Sequence, residues 1–329
     1  MTQKGDADAR DSGDRSLVFQ LLDRYCTRNG LTLVAGDPYG HAGMVESPEG
    51  QRWYFKGTRF DLNGLGASEI ANDKAYAARF LAGGGITVPD SHFVFREKVS
   101  AGKAIDDDLL AFAREKGFPL FVKPNIGQEG QGVTRVDTPS ALWTALQSLS
   151  EHHEHLLVQP EIRGRELRIV VLDGEVLCAI ERKRPTLVGN GKNSLLELLA
   201  AHGKLSASDT RISRELGNQG LDLKSVPEIG REVTVLPVTN LSCGGTARIV
   251  TPDISSEILA IAQRAADILS LRYAGVDMIV PAVPASENEA VVLEVNAAPG
   301  LSNLARQGTE EAALVEGIYE KIFAALFGK

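Results

Sequence analysis

Two apolar runs rich in β-branched residues, Tyr273 to Val280 and Ala290 to Val295, do most to limit what this chain can fold into. Between them lies the polar segment Pro281-Ala-Val-Pro-Ala-Ser-Glu-Asn-Glu289. The pattern reads as a β-hairpin whose strands are largely buried. Each strand nevertheless carries polar groups that a core would not choose: Asp277 on the first, Glu294 and Asn296 on the second. Glu294 and Asn296 are two apart, so both point to one face of their strand. With the turn centred near Ser286, Asp277 lies opposite Glu294, their Cβ atoms about 5 Å apart. Two carboxylates that close repel unless a cation or a shared proton sits between them. Two acids and an amide carbonyl are hard oxygen ligands of the kind that suit Mg²⁺ on nucleotide phosphates. A solvated hairpin face is the plain alternative, and an anion-binding apparatus elsewhere in the chain decides between the two. On like-charge repulsion alone, Asp277→Ala or Glu294→Ala is expected to cost the fold little.

The remaining 300 or so residues have to supply that apparatus, and 329 residues leave room for two or three lobes. A net charge of −8 argues against non-specific nucleic-acid binding. No apolar run approaches the length of a membrane span. Cys26, Cys178 and Cys243 are far apart and odd in number, which suggests reduced thiols in the cytoplasm. Met1 to Arg15 lacks the apolar segment of a signal peptide and reads as a disordered tail.

Helical spacing over Ser16 to Asn29, stopped by Gly30, opens a small N-terminal lobe that extends to about residue 90. Short strands follow, then a helical stretch over 68–81 with Asp73-Lys74 inside it, where a solvated surface pair is the simple reading. A central lobe over 91–160 holds the helix 107–116, the strand 119–123, a glycine-rich segment 125–132, a returning strand, a helix and the strand 156–159. A C-terminal lobe over 161–329 begins with strands at 166–172 and 176–181. It continues through a helix from Ser194, a polar excursion to Arg231 and a helix over 255–269 to the hairpin, and closes with a helix over 310–327. The alternation predicts mixed α/β lobes.

Lys123 ends a strand immediately before the glycine-rich loop. Gly127, Gly130 and Gly132 allow backbone N–H groups to approach phosphate, and a lysine at the base supplies charge. Such loops are as often plain turns. This one lacks the Gly-Lys-Ser/Thr ending of a Walker A loop, and a strand follows where a dinucleotide fingerprint has a helix. Gln159, Pro160, Glu161 and Ile162 link two lobes, where a base commonly hydrogen-bonds to backbone. Glu166 beyond Gly164 is placed to accept from ribose hydroxyls.

Taken in order, Lys74, Val122-Lys123-Pro124, the loop 125–132, Gly164-Arg-Glu166, Asp277 and Glu294-Val-Asn296-Ala-Ala-Pro-Gly300 resemble the ATP-grasp superfamily of carboxylate–amine ligases. Glu69-Ile-Ala-Asn-Asp-Lys74, Val188-Gly-Asn-Gly-Lys192, Gly220-Leu-Asp-Leu-Lys-Ser-Val-Pro227 and Asn240-Leu-Ser-Cys-Gly-Gly-Thr246 point most closely to the ATP-grasp modules of cyanophycin synthetase and bifunctional glutathione synthetases. D-alanine–D-alanine ligase is a more distant likeness. The resemblance runs from about residue 16 to 325 and implies an ATP-grasp fold: a small N-terminal lobe and two α/β lobes clamping ATP. It implies Lys74 and Lys123 on phosphate, 159–162 at adenine, Glu166 at ribose, and Asp277, Glu294 and Asn296 as ligands of Mg²⁺, two ions being usual and Mn²⁺ an alternative. Lys123, Arg182, Asn240 and Ser242 are the residues it implies for catalysis, Lys183 and Arg184 being alternatives to Arg182.

The implied chemistry is formation of an acyl phosphate from ATP and a carboxylate, then attack by an amine, on amino acid or peptide substrates. Dimers are common in the family, so the resemblance allows a homodimer and leaves the oligomeric state open. An ATP-binding scaffold without turnover and a carboxylate kinase are the competing readings. The loop departs from the pattern in carrying Gln128, Glu129 and Gln131, so phosphate contact is expected from backbone amides. Cys243 stands where Thr or Ser is usual and reads as a tolerated substitution. The long N-terminal and the Mur-ligase-like domains of cyanophycin synthetase have no counterpart in the sequence, so two-site polymer synthesis is not expected. Glu151-His-His-Glu-His155 resembles a metal tract but reads as a solvated connection. Arg163, Arg165 and Arg168 form either an anion site or a charged rim, and Trp53 and Trp143 read as packing residues.

Overall fold

The computed structural model describes residues 15–100, 107–127, 130–281 and 290–328. The tail to Asp14, Gln128 and Glu129 of the glycine loop and the hairpin turn 282–289 lie outside the described residues. Contacts divide the chain into one unit of residues 1–64 with 297–329 and a second of residues 65–296.

In the first unit the helix Leu17–Asn29 starts where Ser16 accepts from the Phe19 N–H and stops at Gly30 in the left-handed region. An antiparallel meander follows: β1 (Thr32–Ala35), β2 (Ala42–Glu46), β3 (Arg52–Lys56) and β4 (Arg59–Phe60). The terminal helix Thr309–Phe327 belongs to this unit and supplies much of its core. Phe323 lies 5.5 Å from Tyr25 and 5.8 Å from Phe60, and Phe327 5.0 Å from Trp53. A lobe defined by sequence order as residues 16–90 therefore leaves out the helix that fills its core.

The second unit holds both sheets that frame the candidate site. In one, β5 (His92–Phe95), β6 (Leu120–Pro124), β7 (Thr134–Val136) and β8 (His155–Pro160) are arranged β5-β8-β6-β7. Its core is aliphatic, including Leu120, Val122, Leu142, Leu156 and Val158, with Trp143 packed against it. The other sheet contains β9 (Arg165–Leu172) and β10 (Glu175–Lys183). A short pair, β11 (Thr186–Val188) and β12 (Glu232–Thr234), precedes β13 (Thr246–Ile249), β14 (Tyr273–Val280) and β15 (Val291–Asn296). The order β13-β10-β9-β14-β15 places β14 and β15 side by side, antiparallel. The architecture is mixed α and β, with antiparallel sheets.

Two local readings change. The helical stretch over 68–81 is two helices, Leu65–Asn72 and Lys74–Gly83, because Asp73 accepts from the Tyr76 N–H and caps the second. Lys74 is thus the first residue of a helix and not part of a mid-helix surface pair. The polar excursion before Arg231 contains the helix Thr210–Asn218, capped by Asp209 and anchored by buried Ile212 and Leu216.

Candidate functional site

Asp277 on β14 pairs in register with Glu294 on β15 and with Arg168 on β9, so the three side chains form a row across the sheet. Arg168 grips Asp277 with two donors, Nε to Oδ1 at 2.6 Å and Nη2 to Oδ2. Arg182 on β10 brings Nη1 to 3.6 Å from the same Oδ2. Asn296 Nδ2 donates to Asp277 at 3.3 Å and to Glu294 at 3.4 Å, closing the oxygen-bearing cluster. Lys74 reaches in from its helix, with Nζ 3.4 Å from Glu294 Oε2 and 3.3 Å from the Gly127 carbonyl. Asn125 locks that helix start: its amide donates to Asp73 at 2.7 Å, and its Oδ1 accepts from the Ala75 N–H at 2.9 Å.

These groups face a cleft of about 1010 Å³ including its open mouth. Among the sequence-predicted residues it is lined by Lys74, Lys123, Gly127, Gly130, Gln159, Pro160, Ile162, Glu166, Arg182, Asn240, Asp277 and Glu294. Arg184 and Thr239 line it as well. Gly132, Glu161, Ser242 and Asn296 are not in its wall. Gly132 packs on Pro124, where a Cβ would stand 2.9 Å from the ring Cγ. Ser242 is exposed on a short 3₁₀ turn. Glu161 turns its carboxylate away, to Arg135 and Arg184 at 3.4 Å and Arg163 at 3.6 Å. Its N–H donates to the Pro119 carbonyl at 3.2 Å, and Pro160 has none to offer. Of the four hinge residues, Ile162 is the one that lines the cleft without a ladder partner in β6. The Gln159 amide is held by Ser91 Oγ at 2.7 Å.

Burial and charge set the titration of the site. Burial raises the Asp277 carboxyl, but Arg168 and Arg182 overcome it and hold the group at about 2. Burial drives the Lys123 ammonium down to about 8; Glu294 opposes the fall and Lys74 adds to it. Burial also raises Glu166, whose Oε1 accepts from the Thr239 hydroxyl. Arg182 Nε is buried with no hydrogen-bond partner among the described residues, so an N–H donor stands ready for an anion beside the cleft.

The three arginines read together as an anion site or a rim have separate fates. Arg163 is exposed, Arg165 pairs with Glu181 at 2.9 Å, and Arg168 is the buried partner of Asp277. Its position two residues after Glu166 puts it on the same strand face but names no partner for it. Among the described residues no three His, Cys, Asp or Glu side chains are grouped for a metal. No helix among them is long and apolar enough to cross a membrane.

Comparison with known proteins matches residues 80–188 to the "D-ala D-ala ligase C-terminus" family model and residues 238–317 to the "RimK-like ATP-grasp domain" model. The chain belongs to the ATP-grasp superfamily. A cyanophycin synthetase from Trichormus variabilis is 31% identical over 262 residues, 74% of this chain and 28% of that protein. The chain thus spans under a third of that relative's length. The ATP-grasp fold is shared with a bifunctional glutathione synthetase from Pasteurella multocida (TM-score 0.57, 19% identity, covering 94% of this chain and 44% of that one). It is also shared with a D-alanine–D-alanine ligase from Bacillus anthracis complexed with ATP (TM-score 0.51, 19% identity, covering 81% and 68%).

Proposed function

We propose that this ATP-grasp protein is an ATP-dependent ligase that joins the carboxylate of an amino acid or short peptide to an amine, releasing ADP and phosphate. The observation that carries the reading is convergence: Lys74, 3.4 Å from Glu294, meets Lys123, Asp277 and Glu294 at one cleft, with Asn296 behind the two carboxylates. The names of the relatives, synthetases and ligases, support the reaction class.

In this reading adenine lies at the hinge with Ile162 as its backbone partner, and Glu166 offers the ribose its carboxylate oxygen not taken by Thr239. Lys74, Lys123 and the glycine-loop amides hold the phosphates. The Asp277–Glu294–Asn296 set fits Mg²⁺ by donor chemistry: hard oxygens, with Glu294 the less committed carboxylate and Asp277 already half-neutralised by Arg168. Bound there, one or two Mg²⁺ ions would disperse charge on the phosphates. The substrate carboxylate oxygen attacks the γ-phosphorus. The bond to the β–γ bridging oxygen breaks, and ADP leaves with its electron pair. An amine then attacks the acyl carbon and sheds a proton, and the C–O bond breaks to release phosphate. Arg182 and Asn240 face the developing charge, the task on which such catalysis mainly rests. No protein nucleophile takes part.

The test is ADP release across a panel of amino-acid pairs, with products read by mass spectrometry. The expected result is ADP formation that needs Mg²⁺, a carboxylate and an amine together. Silence for every pair despite bound ATP would instead make the chain a nucleotide-binding module. Hydroxamate formed with hydroxylamine, but no amide product, would make it a carboxylate kinase.

A further inference from the structure

We propose that Arg211, in the first turn of the helix Thr210–Asn218, is a positioning residue that fixes the Gly130 end of the glycine loop and thereby the triphosphate site. Asp209 grips its guanidinium: Nε lies 3.0 Å from Oδ1 and 3.1 Å from Oδ2, and Nη2 2.7 Å from Oδ2. Asp209 also accepts from the Arg211 N–H at 3.0 Å, so the side chain is braced at both ends. The remaining Nη1 donates to the Gly130 carbonyl at 3.3 Å, an acceptor shared with the Val133 N–H at 3.3 Å.

Gly130 is confined on its other side. At φ +68° it sits where a Cβ would stand 2.6 Å from Asn240 Oδ1 and 3.2 Å from Val238 Cγ1. Gly130, Gln131, Val238 and Asn240 all line the cleft. A trans peptide plane sets its C=O and N–H in opposite directions. Holding the Gly130 oxygen on Arg211 therefore turns the Gln131 N–H away from the helix, and Gln131 is itself a residue of the cleft wall. That amide is an oriented donor for phosphate.

The inference rests on the ATP-binding reading above, so the experiment scores the two separately. Calorimetric titration of the full chain with the non-hydrolysable triphosphate AMPPNP and with AMP, both with Mg²⁺, is run on wild type, Arg211→Ala and Arg211→Lys. In Arg211→Ala, AMPPNP affinity is expected to fall roughly tenfold, the scale of one hydrogen bond to a charged donor. AMP affinity and the melting midpoint stay near wild type. Arg211→Lys, too short to satisfy Asp209 and Gly130 together, falls between and serves alone if the alanine variant fails to fold. Unchanged AMPPNP affinity, or equal losses for AMPPNP and AMP, overturns the role of Arg211 while leaving ATP binding in place. Wild type that binds no AMPPNP overturns both.

Discussion

Asp277 is 4% exposed and carries a charge, which a protein interior tolerates only when that charge is fully answered. Arg168 answers it with a two-point grip, so the two groups stand or fall together. The expectation from like-charge repulsion, that removing Asp277 costs the fold little, is therefore corrected for this residue. Asp277→Ala strands a buried guanidinium and is expected to lower unfolding free energy by about 3–5 kcal/mol, measured by urea denaturation. Glu294, 30% exposed and opposite Lys74, is expected to cost under about 1 kcal/mol as Glu294→Ala. The double variant Asp277→Ala with Arg168→Met should regain part of the loss, because it removes the guanidinium gripped by Asp277 and leaves Arg182 alone short of that carboxylate. Equal midpoints for Asp277→Ala and wild type would refute the buried pair. The pH dependence has a definite sign. The folded carboxyl at about 2 lies below its unfolded value of about 3.9, so the stability it contributes is complete above roughly pH 5. It is lost as pH falls through 4 toward 2.

Among the elements, the helix Lys74–Gly83 brings Lys74 to the cleft, and a single side chain decides where it begins. Asp73 accepts from the Tyr76 N–H at 2.9 Å and from the buried Asn125 amide at 2.7 Å. Asp73→Ala should destabilise by about 1–2 kcal/mol in thermal unfolding, and Asp73→Ser, which keeps the cap, should restore most of it. No difference between Ala and Ser would mean that the cap does not hold the helix start. Periodicity alone could not place this break, since the apolar spacing runs through Asp73 without interruption. The helix Thr210–Asn218 escaped for the opposite reason. Ile212 and Leu216 are the apolar residues of its buried face, which also holds Glu215, among residues that read as polar loop. The hairpin, by contrast, was legible at its polar end, where Asp277 faces Glu294, but not in the one-residue register shift between Asp277 and Met278.

Across the whole chain, what sequence order could not convey is which distant segments share a core. The helix Thr309–Phe327 packs on Tyr25, Trp53 and Phe60, contacts that no local pattern encodes. That many of the singled-out lysines, glycines and acids share one cleft was legible, because such residues beside apolar strands stand out from a core pattern. Their supports, Arg168, Thr239 and Arg211, were not, because each acts through a partner far away in sequence. The claim on which the functional account depends is that Lys74, Lys123 and the late hairpin hold a triphosphate. Equilibrium titration of ATP against AMP with Mg²⁺, in wild type and Lys123→Met, tests it most directly. The expected result is a preference for ATP of at least about tenfold in wild type that disappears in Lys123→Met. Equal wild-type affinity for ATP and AMP, or an undiminished preference in Lys123→Met, would contradict it.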